Sequence, residues 1–145
     1  MSAEDEARAL LAEAQARQAA HDTAGSIDLG RRALALAPDL PEALEHVGTL
    51  LVTRRRAYAE GLAMLERAAA ARPHDAGLWY ALGWCCEFAA HERARRPGGE
   101  AIDVRATYER AAEAFRRCLD LRPEGKLAGD AGDLLDHVEN ELASL

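Results

Sequence analysis

The sequence predicts an all-α fold of stacked antiparallel helical hairpins, with about seven helices. A helix-ending segment recurs three times and closes at Pro38, Pro73 and Pro123. The helices that follow the first two prolines share an apolar stripe at i, i+3, i+4 and i+7, with a glycine inside it. No useful stretch alternates apolar and polar residues with period two, so no sheet is predicted. Repetition on this scale is typical of helical repeat proteins.

The bulk composition supports helices and limits the classes of partner. The chain has 145 residues, enough for one core; 49% are hydrophobic but only 5% aromatic, so alanine and leucine, both strong helix formers, dominate. The formal net charge of −7 argues against a general nucleic-acid or anionic-membrane binder. Neutral or basic partners are therefore expected.

The location expected from the sequence is the cytoplasm. No apolar run is long enough to cross a bilayer, and the acidic start of the chain lacks the features of a signal peptide. The three cysteines are odd in number, and Cys85 and Cys86 are adjacent. A disulfide framework is therefore not expected.

The first two helices are bounded by local signals. An apolar stripe runs along the first helix, from about Glu4 to Ala20. Asp22 or Thr23 can cap the second, because a short side-chain oxygen accepts from free amides of the first turn. The second helix ends near Ala37, where Pro38 stops it.

The third and fourth helices form the next predicted hairpin. The third runs from roughly Pro41 to Arg54, because proline suits a first helical position. The fourth covers about Tyr58 to Arg72 and stops at Pro73. The glycine in each apolar stripe is predicted to form a notch that lets a neighbouring helix approach closely.

The last three helices follow the same rules. The fifth begins after Asp75, and the sixth is capped by Asp103 or Thr107 and ends before Pro123. A final helix, roughly Gly129 to Ser144, carries one apolar face and has no partner helix after it. It is predicted to cap the open end of the stack.

The residue pattern of the hairpins is similar to that of a known repeat family. The best-matching unit contains Trp79, Leu82, Gly83 and Cys86, then Ala111, Phe115, Cys118 and Pro123. The preceding unit contains Leu44, Val47, Gly48 and Leu51, then Gly61, Leu65, Ala68 and Pro73. These patterns resemble the tetratricopeptide repeat (TPR) family. The first unit is degenerate, with Glu13 where a leucine is expected.

The resemblance implies one domain over residues 1–145, a right-handed solenoid of helical hairpins. Its units are expected at about 4–38, 39–73 and 74–123, followed by a cap helix at about 126–145. Pro73 and Pro123 lie 50 residues apart, against roughly 34 for this repeat type. The third unit therefore carries an insertion at about 90–105, where Pro97-Gly98-Gly99 predicts a loop tip.

The resemblance also implies a partner-binding groove on the inner face. Carried over from the family's groove positions, its lining residues are Leu11, Gln15, Glu45, Thr49, Tyr80, Trp84, Glu87 and Phe88. Aromatic side chains beside carboxylates suit an extended or helical peptide with an apolar side chain near a lysine or arginine. The alternative is that Trp84 and Phe88 pack against the insertion or the cap helix. Family members that hold a C-terminal carboxylate use Lys, Asn and Arg here, so that ligand is disfavoured.

A second candidate surface is basic. Two helices end at the same edge of the stack, and their arginines are Arg54, Arg55, Arg56, Arg93, Arg95 and Arg96. We call these six residues the basic edge. They can dock a phosphate or an acidic partner segment through bidentate contacts. The alternative is that they stabilise the helix dipoles and stay solvated.

The sequence predicts no catalytic, metal or cofactor site. Cys86 and Cys118 fall on core stripes, and the histidines are scattered without a metal-ligand spacing. No glycine-rich phosphate loop follows a strand. The predicted function is that of a protein–protein interaction module or adaptor, not an enzyme. The alternative is a self-associating scaffold whose groove is filled by its own chain or another copy.

Overall fold

The computed structural model describes residues 1–96 and 98–145, and these form seven α-helices without a β-strand. The helices are α1 (Ala3–Ala19), α2 (Thr23–Leu36), α3 (Pro41–Thr53), α4 (Tyr58–Ala71), α5 (Ala76–Arg95), α6 (Val104–Asp120) and α7 (Lys126–Ala143). The all-α expectation is confirmed. The ends expected for α1 to α4 and the start expected for α5 agree with these bounds to within one residue. Asp103 is the cap of α6, which ends three residues before Pro123, and α7 begins three residues before Gly129.

Side-chain caps mark the start of four of the described helices, α1, α2, α5 and α6. In three caps an aspartate carboxylate accepts from the backbone amide three residues on, at 2.9 to 3.2 Å. These are Asp22, Asp75 and Asp103. Ser2 and Asp5 form a reciprocal capping box at the start of α1. The free amides of these first turns are thereby satisfied.

The helices pair into three hairpins with α7 packed against α6. The most extensive contacts join α1 to α2, α3 to α4 and α5 to α6. The first helices of successive hairpins also touch, so that α1, α3, α5 and α7 form a continuous row. Within the described residues, α2, α4 and α6 do not approach one another as closely. The row of first helices is therefore the inner face of a curved array.

Glycines form the predicted notches between helices. A Cβ atom on Gly61 would lie 2.7 Å from the carbonyl oxygen of Gly48 and 2.7 Å from Cγ2 of Val52. A Cβ atom on Gly83 would lie 2.7 Å from the buried ring of Phe115. Side chains at these positions would push α3 from α4 and α5 from α6.

The insertion mainly lengthens helices. α5 has 20 residues and α6 has 17, against 13 and 14 in α3 and α4. The connection between α5 and α6 folds back onto the α3–α4 turn, because the Glu100 carboxylate accepts from the Ala59 amide at 2.9 Å. Of the predicted loop tip, Pro97 lies outside the described residues. Gly98 and Gly99 pack beside Arg56.

The largest core cluster runs from α3 and α4 through the third hairpin to α7. Ala131 and Val138 of α7 are fully buried there. Other apolar residues of α7 are partly buried against the same cluster: Leu127, Leu134, Leu135 and Leu142. The predicted apolar face of the last helix is therefore the face that packs. None of the helices described is both long and apolar enough to cross a bilayer.

Candidate functional site

The inner face carries two adjoining clefts, which we together call the inner groove. A cleft of about 250 Å³ between α3 and α5 is lined by Glu45, Thr49, Gly77, Tyr80, Ala81, Trp84 and Cys85. A cleft of about 360 Å³ between α1 and α3 is lined by Gln15, Gln18, Glu42, Glu45, His46, Thr49 and Leu50. Both clefts share Glu45 and Thr49, so α3 forms the floor where they meet. Five residues expected from the sequence thus lie together.

Aromatic side chains form the α5 side of the groove. Trp84 is 36% exposed, and its ring stacks on Phe88 with centroids 5.6 Å apart and planes 21° from parallel. Tyr80 is half-buried, and its ring lies 5.9 Å from that of Phe115 in the core. Neither the insertion nor α7 fully covers Trp84. A partly open indole fixed by stacking offers an apolar contact surface for a ligand.

Carboxylates lie close together at one end of the groove, near the start of α3. Burial raises the pKa of Glu45 above its ordinary value, and the negative charges of Asp75 and Glu42 add to the effect. Glu42 is bound by Arg72 at 2.7 Å and Arg8 at 3.6 Å. Glu45 forms no ion pair among the described residues. A cation beside Glu45 would relieve this repulsion.

His46 is fixed as a neutral donor beneath the same cleft. The buried hydroxyl of Ser26 donates to the Ala14 carbonyl at 2.6 Å and lies 2.7 Å from Nε2 of His46. Since the hydroxyl proton is already used, Nε2 carries the proton and donates to Ser26. Burial lowers the pKa of His46. These bonds join α1, α2 and α3 and hold the groove floor in one position.

The basic edge lies at the end of the inner face opposite the carboxylates. The Arg56 guanidinium donates to the Arg96 carbonyl at 3.2 Å and to the Tyr58 hydroxyl at 3.3 Å. These bonds bring the residues after α3 against the residues after α5. Arg54 and Arg55 are exposed beside them. The residues that follow α3 and α5 therefore share one edge of the array.

Solved structures with known folds resemble this arrangement. The first TPR domain of Spaghetti (RPAP3), bound to an HSP90 peptide, has a TM-score of 0.72 at 16% identity, over 97% of this chain and 95% of that one. The Sgt2 TPR domain from Aspergillus fumigatus has a TM-score of 0.71 at 19% identity, over 95% of this chain and 80% of that one. The chain has the tetratricopeptide-repeat fold.

A third similar structure is a mutant O-GlcNAc transferase from Thermobaculum terrenum. Its TM-score is 0.65 at 28% identity, over 86% of this chain and 21% of that one. No protein-family model matches the sequence, and no curated protein matches it. The TPR fold is therefore recognised from the stacking of the helices and the repeated lettering of the hairpins.

Three positions expected from the TPR pattern do not line either cleft of the inner groove; one of them, Phe88, stacks on Trp84 instead. Leu11 is 5% exposed and packs with Ala7 and Ala33 in a core cluster, because α2 covers this side of the degenerate first unit. Glu87 turns to α7, where its carboxylate lies 3.5 Å from Nε2 of His137 and is 16% exposed. Neighbouring helices therefore cover the side chains of Leu11 and Glu87.

Three lining residues with charged or hydrogen-bonding side chains in the cleft between α1 and α3 were not predicted from the sequence. Gln18, Glu42 and His46 border the cleft between α1 and α3. Gln18 lies three residues after Gln15, and Glu42 lies three residues before Glu45. Helical spacing from a residue already assigned to the groove could have identified both.

A larger cavity of about 570 Å³ lies between α4, α5 and α6, outside the inner groove. Arg110 pairs with Glu66 at its border, and the Arg117 guanidinium lies 4.9 Å from the Trp79 ring centroid. Trp79 Nε1 also donates to the Pro73 carbonyl at 2.9 Å. These bordering groups already have partners within the fold. The inner groove, with unpaired Glu45 and exposed Trp84, remains the stronger candidate.

The cysteines are buried inside the TPR fold. Cys85, Cys86 and Cys118 are all free thiols, and burial raises the pKa of Cys85 and Cys86 to about 12. They pack as small apolar residues, as the sequence predicts for Cys86 and Cys118. Among residues 1–96 and 98–145, no three histidine, cysteine or carboxylate side chains form a group that could hold a metal ion.

Proposed function

We propose that the chain is a protein-interaction module that binds an extended or helical segment of a partner protein in the inner groove. The observation that carries this proposal is the juxtaposition of exposed Trp84 with unpaired Glu45 in one cleft. The TPR fold supports it, because a structure with this fold, that of Spaghetti, holds a peptide. In this reading the chain is an adaptor and performs no catalysis itself.

The partner segment is expected to carry an apolar side chain next to a lysine or arginine. An aromatic or aliphatic side chain covers the Trp84–Phe88 stack and removes apolar surface from water. A neighbouring cation lies against Glu45, where Asp75 and Glu42 strengthen the negative potential. A C-terminal carboxylate is disfavoured in the same cleft, because these groups would repel it.

Rigid helices contribute to affinity by limiting the entropy lost on binding. Tyr80, Trp84 and Phe88 all belong to α5, and Phe88 already holds Trp84 by stacking. The groove side chains therefore lose little freedom when a segment docks, and most of the ordering cost falls on the partner.

The proposal is tested by selecting twelve-residue peptides from a random display library and measuring their affinity by fluorescence anisotropy. Trp84→Ala is expected to weaken the selected peptides by about tenfold or more, because a central aromatic anchor is lost. Leu36→Ala is the matched control: it is an apolar residue of similar exposure, 38% against 36%, on α2. Circular dichroism should show unchanged helix content in both variants.

Two results would contradict the proposal. One is equal affinity of the Trp84→Ala and Leu36→Ala variants for every selected peptide. The other is a concentration-dependent dimer in light scattering that the Trp84→Ala change dissociates. That result would favour the self-associating scaffold, with the Trp84–Phe88 stack buried between copies.

A further inference from the structure

Most arginines outside the basic edge have carboxylate partners; Arg32, Arg105 and Arg122 form no ion pair among the described residues. Eight arginines elsewhere pair with carboxylates: Arg8, Arg17, Arg31, Arg67, Arg72, Arg110, Arg116 and Arg117. Within the described residues, none of the six arginines of the basic edge forms such a pair. Their guanidinium groups therefore keep donors available for an outside acceptor.

The edge is also a fixed part of the fold. Arg56 adopts a left-handed backbone conformation with φ 56°, which turns its side chain towards the end of α5. Its hydrogen bond to the Arg96 carbonyl and the bond from Ala59 to Glu100 hold the two chain segments together. The arginines are thus presented on a preorganised surface, which lowers the entropic cost of binding.

No carboxylate forms an ion pair with these cations among the described residues. The Tyr58 hydroxyl and, to a smaller extent, the charge of Glu92 raise the pKa of Arg56, and the Glu100 carboxylate binds the Ala59 amide. The six arginines therefore form a local positive patch in a chain whose formal net charge is −7. Such a local excess attracts short anionic segments, while the overall charge repels a long polyanion such as nucleic acid.

The distance between the basic edge and the inner groove determines which residues of a bound segment can contact the edge. Trp84 and Arg95 both lie on α5, eleven residues apart, which corresponds to about 16 Å along the helix. An extended segment covers that distance in about five residues. Glu45 lies near the start of α3 and Arg54 directly after its end. The inner face is therefore negative at one end, aromatic in the middle and positive at the other end.

From this charge gradient, and resting on the proposed function, we propose that the basic edge binds aspartate or glutamate side chains of the same partner segment. These acidic residues lie four to six residues from the apolar side chain that contacts Trp84. The lysine or arginine that faces Glu45 lies on the other side of that apolar residue. The two charged ends together fix the direction in which the segment crosses the groove.

The test uses an array of twelve-residue peptides in a glycine–serine background, acetylated and amidated. Each peptide carries a lysine pair, one phenylalanine and a glutamate pair, in every order and spacing. A second array has glutamine in place of glutamate. We expect the tightest peptides to place lysine and glutamate on opposite sides of phenylalanine, with glutamate four to six residues away. In anisotropy titrations they should bind about three- to tenfold tighter than their glutamine counterparts.

The variant Arg55→Gln/Arg95→Gln should remove this preference for glutamate without weakening the glutamine peptides. Both residues are exposed, whereas Arg56 is left intact because it holds the edge together. The control Arg32→Gln/Arg122→Gln removes the same charge from exposed positions away from the edge. It should leave the preference unchanged.

Several results would overturn the inference. Equal affinity for the glutamate and glutamine peptides would mean that the edge is merely solvated. Equal effects of the two double variants would indicate a general charge effect. Tighter binding of a twelve-nucleotide single-stranded DNA than of any peptide would assign the edge to nucleic acid. If Trp84→Ala still weakens binding by about tenfold or more in the first two cases, the proposed function stands and only this inference fails. Failure of every peptide to bind would reject both.

Discussion

Burial and neighbouring negative charges both disfavour the ionised form of the Glu45 side chain. The pKa of Glu45 is raised in the folded protein, so protonation of this carboxyl stabilises the fold. This stabilisation is fully present when the pH is below the ordinary pKa of 4.5. That contribution is lost as the pH rises through the folded pKa. At neutral pH, the charged carboxylate therefore lowers the free energy of unfolding.

We expect Glu45→Gln to raise the free energy of unfolding at pH 7 by less than about 1 kcal/mol, since solvent screens part of the effect. The gain should shrink as the pH falls through the folded pKa and disappear well below the ordinary value of 4.5, at about pH 3, where the wild-type carboxyl is protonated in the folded and unfolded states. Urea denaturation followed by circular dichroism at both pH values measures the difference. Glu13→Gln, at an exposed site on α1, should give no comparable gain; an equal gain would argue against the crowding of carboxylates around Glu45.

Single residues also mark the limits of prediction from the sequence. Glu45, Thr49 and Trp84 were assigned to the groove from their positions in the repeat, and they do line one cleft. The repeat position could not reveal that α2 covers Leu11 or that His137 pairs with Glu87. Those outcomes depend on side chains from another helix, which the local pattern does not contain.

At the scale of helices, the glycine contact between α3 and α4 sets how closely they pack. Gly61→Ala should lower the free energy of unfolding by about 1 to 3 kcal/mol, because the new methyl group would meet the Gly48 carbonyl and Val52 at 2.7 Å. Chemical denaturation monitored by circular dichroism measures this change.

Gly132→Ala provides the matched control. Gly132 lies inside α7, and a Cβ atom there would meet nothing within 4 Å. Alanine should therefore stabilise that helix by about 0.5 to 1 kcal/mol, through its higher helix propensity. If both variants shifted stability in the same direction, steric contact would not be the reason for Gly61.

The ends of the helices were predictable because their signals are local. Proline at Pro38, Pro73 and Pro123 and the capping aspartates act within one turn of their own position. The insertion was predictable only in location. Its extra residues extend α5 and α6, and the hydrogen bond from Arg56 to Arg96 depends on contact across the array.

At the scale of the whole molecule, α7 covers an apolar face of the third hairpin. Truncation after Gly125 would remove Ala131 and Val138 from the main core and expose the third hairpin. We expect a lower midpoint of thermal unfolding and concentration-dependent association, because a large apolar face would be left open. Circular dichroism melting and light scattering measure the two effects.

The control for the truncation is Val138→Ala, which keeps α7 but removes part of its buried side chain. This variant should lose about 1 to 3 kcal/mol of stability without any change in association state. An unchanged melting midpoint in the truncated chain would mean that the three hairpins are stable without α7.

The reactivity of the three cysteine thiols depends on whether the third hairpin stays packed. All three lie in the third hairpin, and the pKa of about 12 for Cys85 and Cys86 keeps their sulfur atoms protonated in neutral solution. Oxidants act on the thiolate, so they reach these atoms only in molecules whose third hairpin has opened. Oxidation of these cysteines would therefore identify molecules in which the third hairpin had opened.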